Sequence, residues 1–229
     1  MTEARTPSPG WFRRALQSGV VIASTGPEHA DELERLQEIV FPTLSPEERF
    51  RAPHYRKHLE LFPEGQFVAL DGARVVGMTT TIRVDDATAM RPHTFAAIIQ
   101  GGWLTSHDPR GTWLYGADIG THPDQRRSGV ARGLYAARQE TVRALGLAGQ
   151  VTVGMLRGYG AEKHRISAED YYAGVVTGRI TDPTISTQMR IGFEPRGLLH
   201  GYISDPVCDC YGVLLVLRAG TDVPAAWVD

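Results

Sequence analysis

Cysteine is scarce in this chain, and the little there is argues against disulfide stapling. Of 229 residues only Cys208 and Cys210, in the stretch VCDC, are cysteines. Read as part of a strand, residues two apart point to the same face without meeting disulfide geometry, so both are expected as reduced thiols of the kind a reducing compartment keeps. Long apolar runs are missing as well. Nowhere do about 18 apolar residues follow one another, and the opening MTEARTPSPGWFRRALQ has no signal-peptide core. A cytoplasmic protein without membrane contact is the expectation. Nor is one sign of charge in excess. The 24 basic and 26 acidic side chains leave a net charge of -2, which gives no general attraction to a polyanion, so no nucleic-acid partner is expected. No 20–50-residue period or low-complexity tract points to a repeat architecture.

What is present suits an ordinary globular α/β protein. Hydrophobic residues make up 42% and charged residues 22%, enough to bury a core without help from a metal or a bilayer. Residues 1–18 read as a loose tail, with Trp11 to Gln17 as a short helix, and residues 19–229 as one domain. Gly19 to Ser24 reads as a buried strand, Pro27 to Val40 as an amphipathic helix, and Ser45-Pro46-Glu47-Glu48 as the opening of another. Asp71-Gly72 is a hairpin turn between Gln66–Leu70 and Arg74–Arg83, followed by a polar, glycine-rich loop. Trp113–Thr121 is the next strand, followed by a helix that stops at Gly146 and a strand over Val151–Leu156. One helix between two strands implies a right-handed crossover and a parallel pair. A polar excursion, Arg157 to Asp182, carries a helix from Ser167 to Val176. A helix near Thr184–Ile191 and strands near Leu198–Ile203 and Tyr211–Leu217 complete the order.

The stretch HPDQRRSGVARGLYAARQE, His122 to Glu140, places small residues where a helix begins. Helix N-termini expose unpaired N–H groups and partial positive charge, a natural seat for a phosphate. Gly129 and Ala131 leave the backbone approachable, and Arg126 and Arg127 add charge at the rim. The nucleoside-triphosphate loop GxxxxGK[ST] and the dinucleotide fingerprint GxGxxG are both absent. Leu134, Ala137, Thr141 and Leu145 form the packing face of the helix.

RRSGVA resembles the R/Q-x-x-G-x-G/A motif of the GNAT superfamily, the Gcn5-related N-acetyltransferases. The resemblance extends through LYGADIGTHPDQRRSGVARGLYAARQE, RGYG, SAEDYYAGVV and DPTISTQMRIGF to the GNAT domains found fused to carbon-nitrogen hydrolases, and is strongest from His107 to about Tyr202. It implies a GNAT fold: a single mixed, mostly antiparallel sheet with a splayed parallel pair, flanked by helices. It also implies acetyl-coenzyme A as co-substrate, with the pyrophosphate on the backbone of Arg126, Arg127, Ser128, Gly129, Val130 and Ala131. The pantetheine arm would lie between Ala117–Thr121 and Val151–Leu156, held by Ile119, Gly120 and Thr121.

Transfer to an amine requires a neutral amine and a proton for the departing thiolate. Asp118 beside the expected thioester site is the candidate base or amine anchor; a hydrogen-bonded strand carboxylate is the equal alternative. The resemblance implies a tyrosine acid four residues before Gly192-Phe193, but Gln188 stands there. Tyr159 in RGYG is the substitute put forward, ahead of Tyr171 and Tyr172, with Tyr115 read as core. His107, His122 and His164 read as surface or capping residues. His54 and His58 in HYRKH lack the glutamate of HExxH and a third ligand, so that helix reads as solvated and no metal site is expected. Glu162, Glu169 and Asp170 would form an acidic wall for a cationic amine, or simply a charged surface.

The reading is therefore an N-acetyltransferase acting from acetyl-CoA on a primary amine, small molecule or protein, with room for a homodimer. Its alternatives are a non-catalytic acyl-CoA sensor or partner module, and a scaffold that binds a peptide by strand addition.

Overall fold

The computed structural model describes residues 10–228; the tail expected over residues 1–9 lies outside them. Eight strands form one sheet in the order β1-β2-β3-β4-β5-β6-β8-β7. They are β1 (Arg13–Ala15), β2 (Val21–Ser24), β3 (Phe67–Asp71), β4 (Arg74–Val84), β5 (Trp113–Thr121), β6 (Gly149–Met155), β7 (Glu194–Leu199) and β8 (Gly212–Arg218). Every pair is antiparallel except β5 with β6. Helices α1 (Ala30–Val40), α2 (Ala52–Leu61), α3 (Asp86–Met90), α4 (Phe95–Ile99), α5 (Val130–Ala144), α6 (Ala168–Val176) and α7 (Ile185–Ile191) flank it. No described helix is long and apolar enough to cross a membrane.

Local chemistry accounts for the elements that position the site. The Asp71-Gly72 turn, with Gly72 at φ 60°, joins β3 to β4. Helix α5 starts at Gly129, φ 88°, and buries Leu134, Ala137 and Thr141 against β2–β6. Helix α1 covers the other face of β4 and β5 through Leu33, Leu36 and Val40. Ser167 caps α6 by accepting from the Asp170 N–H at 3.1 Å, the side-chain half of a capping box.

Several local expectations give way. Trp11–Gln17 contains strand β1, not a helix. The stretch is too short to sustain isolated helix, and the edge of β2 offers backbone partners instead. After Ser45 only a single 3-10 turn forms, Pro46–Glu48; α2 begins at Ala52, with Pro53 in its first turn. That helix is solvated on one face only: Arg56 and Glu60 are exposed, whereas Tyr55 and His58 are buried, and His58 Nε2 lies 2.7 Å from the Gly102 carbonyl. The loop after β4 contains α3 and α4, capped by Asp85 and Thr94. Strand β7 starts earlier than Leu198; as the edge strand it admits Pro195, which has no N–H to give, at a register shift. Cys208 and Cys210 lie in a turn that precedes β8, and both are free thiols.

Candidate active site

Strands β5 and β6 pair only over Leu114–Gly116 with Gln150–Thr152. Beyond that point they diverge, and a cavity of about 590 Å³ opens between Ala117–Thr121 and Thr152–Met155. A bulge starts the divergence. Thr80 faces Asp118 and Thr81 faces Gly116, so Ala117 is the extra residue. Two donors hold the displaced Asp118 carbonyl, the Thr79 hydroxyl at 2.8 Å and the guanidinium of Arg138 from α5.

The bulge also turns the Asp118 side chain into the cavity toward α1. Its Oδ1 accepts the Thr80 N–H at 2.6 Å, and its Oδ2 lies 3.4 Å from Gln37 Nε2. Burial pushes the carboxyl above its usual value, and the nearby Arg138 charge and these hydrogen bonds counteract part of that rise.

The opposite mouth of the cavity is the start of α5. The Gly133 N–H bonds the Gly129 carbonyl at 2.9 Å, so Val130, Ala131 and Arg132 present N–H groups without helical partners. Arg126 and Ala131 line the cavity. Arg126, Arg127 and Arg132 make no ion pair among the described residues, and a side chain at Gly129 would meet open space on this side. Of the residues expected at the phosphate, the structure therefore gathers Gly129, Val130 and Ala131 at one helix end. Arg127 (φ 69°) and Ser128 form the turn before it. Ile119, Gly120 and Thr121 line the cleft.

Three buried polar atoms on the cavity wall have no partner: Gln37 Oε1, Thr121 Oγ1 and Gln188 Oε1. Unsatisfied groups of this kind are uncommon in a folded interior and suit a ligand that brings donors. Gln188, on α7, presses against Gly154, where a Cβ would fall 2.2 Å from Gln188 Oε1. Its Nε2 donates to the Tyr135 hydroxyl at 2.9 Å. Tyr135 also lines the cavity and lies under the Arg138 guanidinium, 5.2 Å from its ring centroid. Burial keeps the phenol above its ordinary pKa, so it holds its proton at neutral pH.

Tyr159 is placed elsewhere. It is buried between Tyr171 and Tyr211, at centroid distances of 5.5 and 5.3 Å, and is absent from the cavity wall. Glu162, Glu169 and Asp170 do not line the cavity either; Glu162 pairs with Arg165 and Asp170 with the Ser167 hydroxyl. His122 caps the turn at Pro123, while His107 stacks on Phe62 and accepts the Arg83 N–H. His164 is exposed. Two cavity residues, Tyr135 and Gln37, were not singled out in the sequence. A signal existed for Tyr135, which lies four residues after Ala131 and so shares its side of the helix. Gln37 reaches the site only through the packing of α1 on β5 and had none.

Known proteins resemble this chain. YkwB, an uncharacterized N-acetyltransferase of Bacillus subtilis (strain 168), is 31% identical over 186 residues, covering 81% of this chain and 82% of YkwB. The probable hydrolase YhcX of the same organism is 30% identical over 186 residues, again 81% of this chain, which spans 36% of YhcX. Among solved structures, the GNAT-like decarboxylase GphF in complex with isobutyryl-CoA superposes with a TM-score of 0.71 at 21% identity, over 86% of this chain and 98% of that one, a likeness of fold. The model of the acetyltransferase (GNAT) family matches residues 30–155, from the start of α1 to the end of β6. With the splayed β5–β6 pair and the α5 mouth inside the matched region, the chain belongs to the acetyltransferase (GNAT) family.

Proposed function

We propose that the protein transfers an acetyl group from acetyl-coenzyme A to a primary amine. The observation that carries this reading is the cleft between β5 and β6. It joins a free helix N-terminus at one end to a buried carboxylate at the other, with unpartnered Thr121 Oγ1 and Gln188 Oε1 along its length. These features fit a pyrophosphate at α5 and an amide-bearing arm beside Ile119, Gly120 and Thr121. Arg126 and Arg127 add charge at the rim, and the turn through Ser128 aims the N–H groups of Val130 and Ala131.

In this mechanism Asp118 anchors the ammonium and takes its proton, a task favoured by a carboxyl whose basicity burial has raised. The amine nitrogen bonds to the thioester carbon, the C–S bond breaks, and the sulfur receives a proton from the Tyr135 hydroxyl. Tyr135 in turn recovers the second proton lost by the nitrogen. One proton is released per turnover. Tyr135 thus supplies from α5 the phenol that Gln188 does not supply from α7, and the Gln188 amide orients it. Tyr159 has no part in these steps.

Thiol release across a panel of amines tests the proposal, alongside calorimetric titration with acetyl-CoA. Amine-dependent release that disappears in Gly129→Glu is the expected result. Tight acetyl-CoA binding without release by any amine would instead mark a non-catalytic sensor.

A further inference from the structure

Past Asp118 the cavity opens into a chamber between α1, α4 and the loop after β7. Its walls are mostly apolar: Val40 and Leu44 at and after the end of α1, Phe95 on α4, and Ile203 before β8, with Tyr202 the exception, its hydroxyl bonded to that of Tyr115 at 3.0 Å. Only two polar side chains reach it from α1 and β5, Gln37 and Asp118. Both are buried, at 1% and 8% exposure. Asp118 Oδ1 is taken by the Thr80 N–H, whereas Oδ2 has only the long 3.4 Å approach of Gln37 Nε2. Gln37 Oε1 has no partner among the described residues. The Gln37 amide and Asp118 Oδ2 therefore meet where the protein offers almost no other donor, and a half-turn of that amide presents Oε1 beside Oδ2.

We propose that the acceptor substrate is an apolar monoamine, a primary ammonium on an arylalkyl or branched alkyl body, with the ammonium held between Asp118 Oδ2 and Gln37 Oε1. This rests on the acetyltransferase reading above and narrows it. Among the described residues Asp118 is the only acidic one on the cavity wall; the other charged residues there, Arg126 and Arg157, are cations. A second ammonium, as in a diamine or polyamine, would be stripped of water against Val40, Leu44 and Phe95 with no carboxylate to meet it. A carboxylate on the acceptor would be desolvated in the same apolar chamber beside the acceptor oxygens of Asp118, with no cation placed to meet it there. A long acyl chain of the donor could fill the same volume, but it would leave Asp118 Oδ2 and Gln37 Oε1 facing hydrocarbon. A macromolecular acceptor is disfavoured by size, because about 590 Å³ is the scale of a small-molecule site and must also admit the donor arm.

The test is a set of matched pairs assayed by thiol release: hexylamine against 1,6-diaminohexane, and phenethylamine against phenylalanine, each with acetyl-CoA. The monoamine of each pair is expected to have kcat/KM at least about 10-fold higher, the scale on which a pocket rejects an ill-matched group. Gln37→Leu should raise the KM for hexylamine by about 10-fold while leaving the Kd for acetyl-CoA unchanged, and Leu44→Asp should shift preference toward the diamine. Equal or better turnover of the diamine by the native protein overturns the proposal without touching acetyl transfer, as does hexanoyl-CoA outperforming acetyl-CoA with ethylamine as acceptor. Silence with every amine overturns both readings. The native-protein pairs keep the result decisive even if a variant fails to fold.

Discussion

The side-chain amide of Gln188 on α7 donates to the hydroxyl of Tyr135 on α5 at 2.9 Å, across the cleft between β5 and β6. With its lone pair engaged in this way, the phenol keeps its proton for the cavity. Tyr135→Phe should lower kcat by about 100-fold, the lower range for loss of a general acid, with little change in acetyl-CoA affinity. Adding Gln188→Tyr to that variant returns a phenol to the same space from the other helix and should recover part of kcat. A Tyr135→Phe enzyme at full rate would remove Tyr135 from the mechanism.

Gly129 sits at φ 88° with open space around its missing Cβ. Gly129→Ala therefore strains the backbone by about 1 kcal/mol without filling the mouth of the cleft. Gly129→Glu places a negative charge where the proposal puts pyrophosphate. Calorimetric titration should find acetyl-CoA binding weakened several-fold by Ala and abolished by Glu; equal affinities for the two variants would locate the phosphate elsewhere.

Asp118→Asn should separate activity from stability. The carboxyl of Asp118 is raised above its ordinary pKa in the folded state, chiefly by burial. Its contribution to stability is therefore fully present below the unfolded value near 3.8 and is lost as pH rises through the higher folded value. Above 3.8 the raised carboxyl costs the fold stability that it does not cost in acid, so at pH 7 the asparagine variant should melt higher than the parent and match it in acid. Its amine-dependent thiol release should fall by about 100-fold or more. Thermal melts against pH, paired with the rate assay, report both; retained activity with an intact acid limb would deny Asp118 the role of base.

His58 and His107 set the acid limit. Burial pushes both down to about 4 from 6.5, with His58 almost wholly enclosed beside Phe50 and Gly102. A lowered histidine supports the neutral fold fully above 6.5, and that support is withdrawn as pH falls toward 4. For His58 alone the loss is on the order of 3 kcal/mol. The melting temperature should drop steeply between pH 6.5 and 4, and His58→Gln, less stable at pH 7, should show a flatter profile. An unchanged slope in that variant would assign the acid transition to other groups.

Much of the frame was legible because its signals are local. Asp71-Gly72 marks a hairpin whatever surrounds it, β5 follows the limits of its apolar stretch, and Gly129 and Gly146 bracket α5. The donor end of the site shared that advantage, since one contiguous stretch builds it. The acceptor end did not. Gln37 and Asp118 are 81 positions apart and meet only because α1 lies over β5, and Tyr159 has a suitable residue type but a side chain committed to its neighbours Tyr171 and Tyr211. Strand β1 escaped notice for a related reason: its conformation comes from pairing with β2, not from its own propensity.

The short pairing of β5 with β6 has a mechanical consequence. Three residue pairs, extended by the Ala148 N–H on the Thr112 carbonyl at 2.9 Å, form the strand seam between the five-stranded part of the sheet, β1 to β5, and the three-stranded part, β6 to β8. A molecule lodged in the gap acts as a keystone, adding to the brace that α5 supplies by packing across both leaves. Resistance to proteolysis would then track the supply of that molecule, and the lifetime of the protein in a cell would become a gauge of its own substrate.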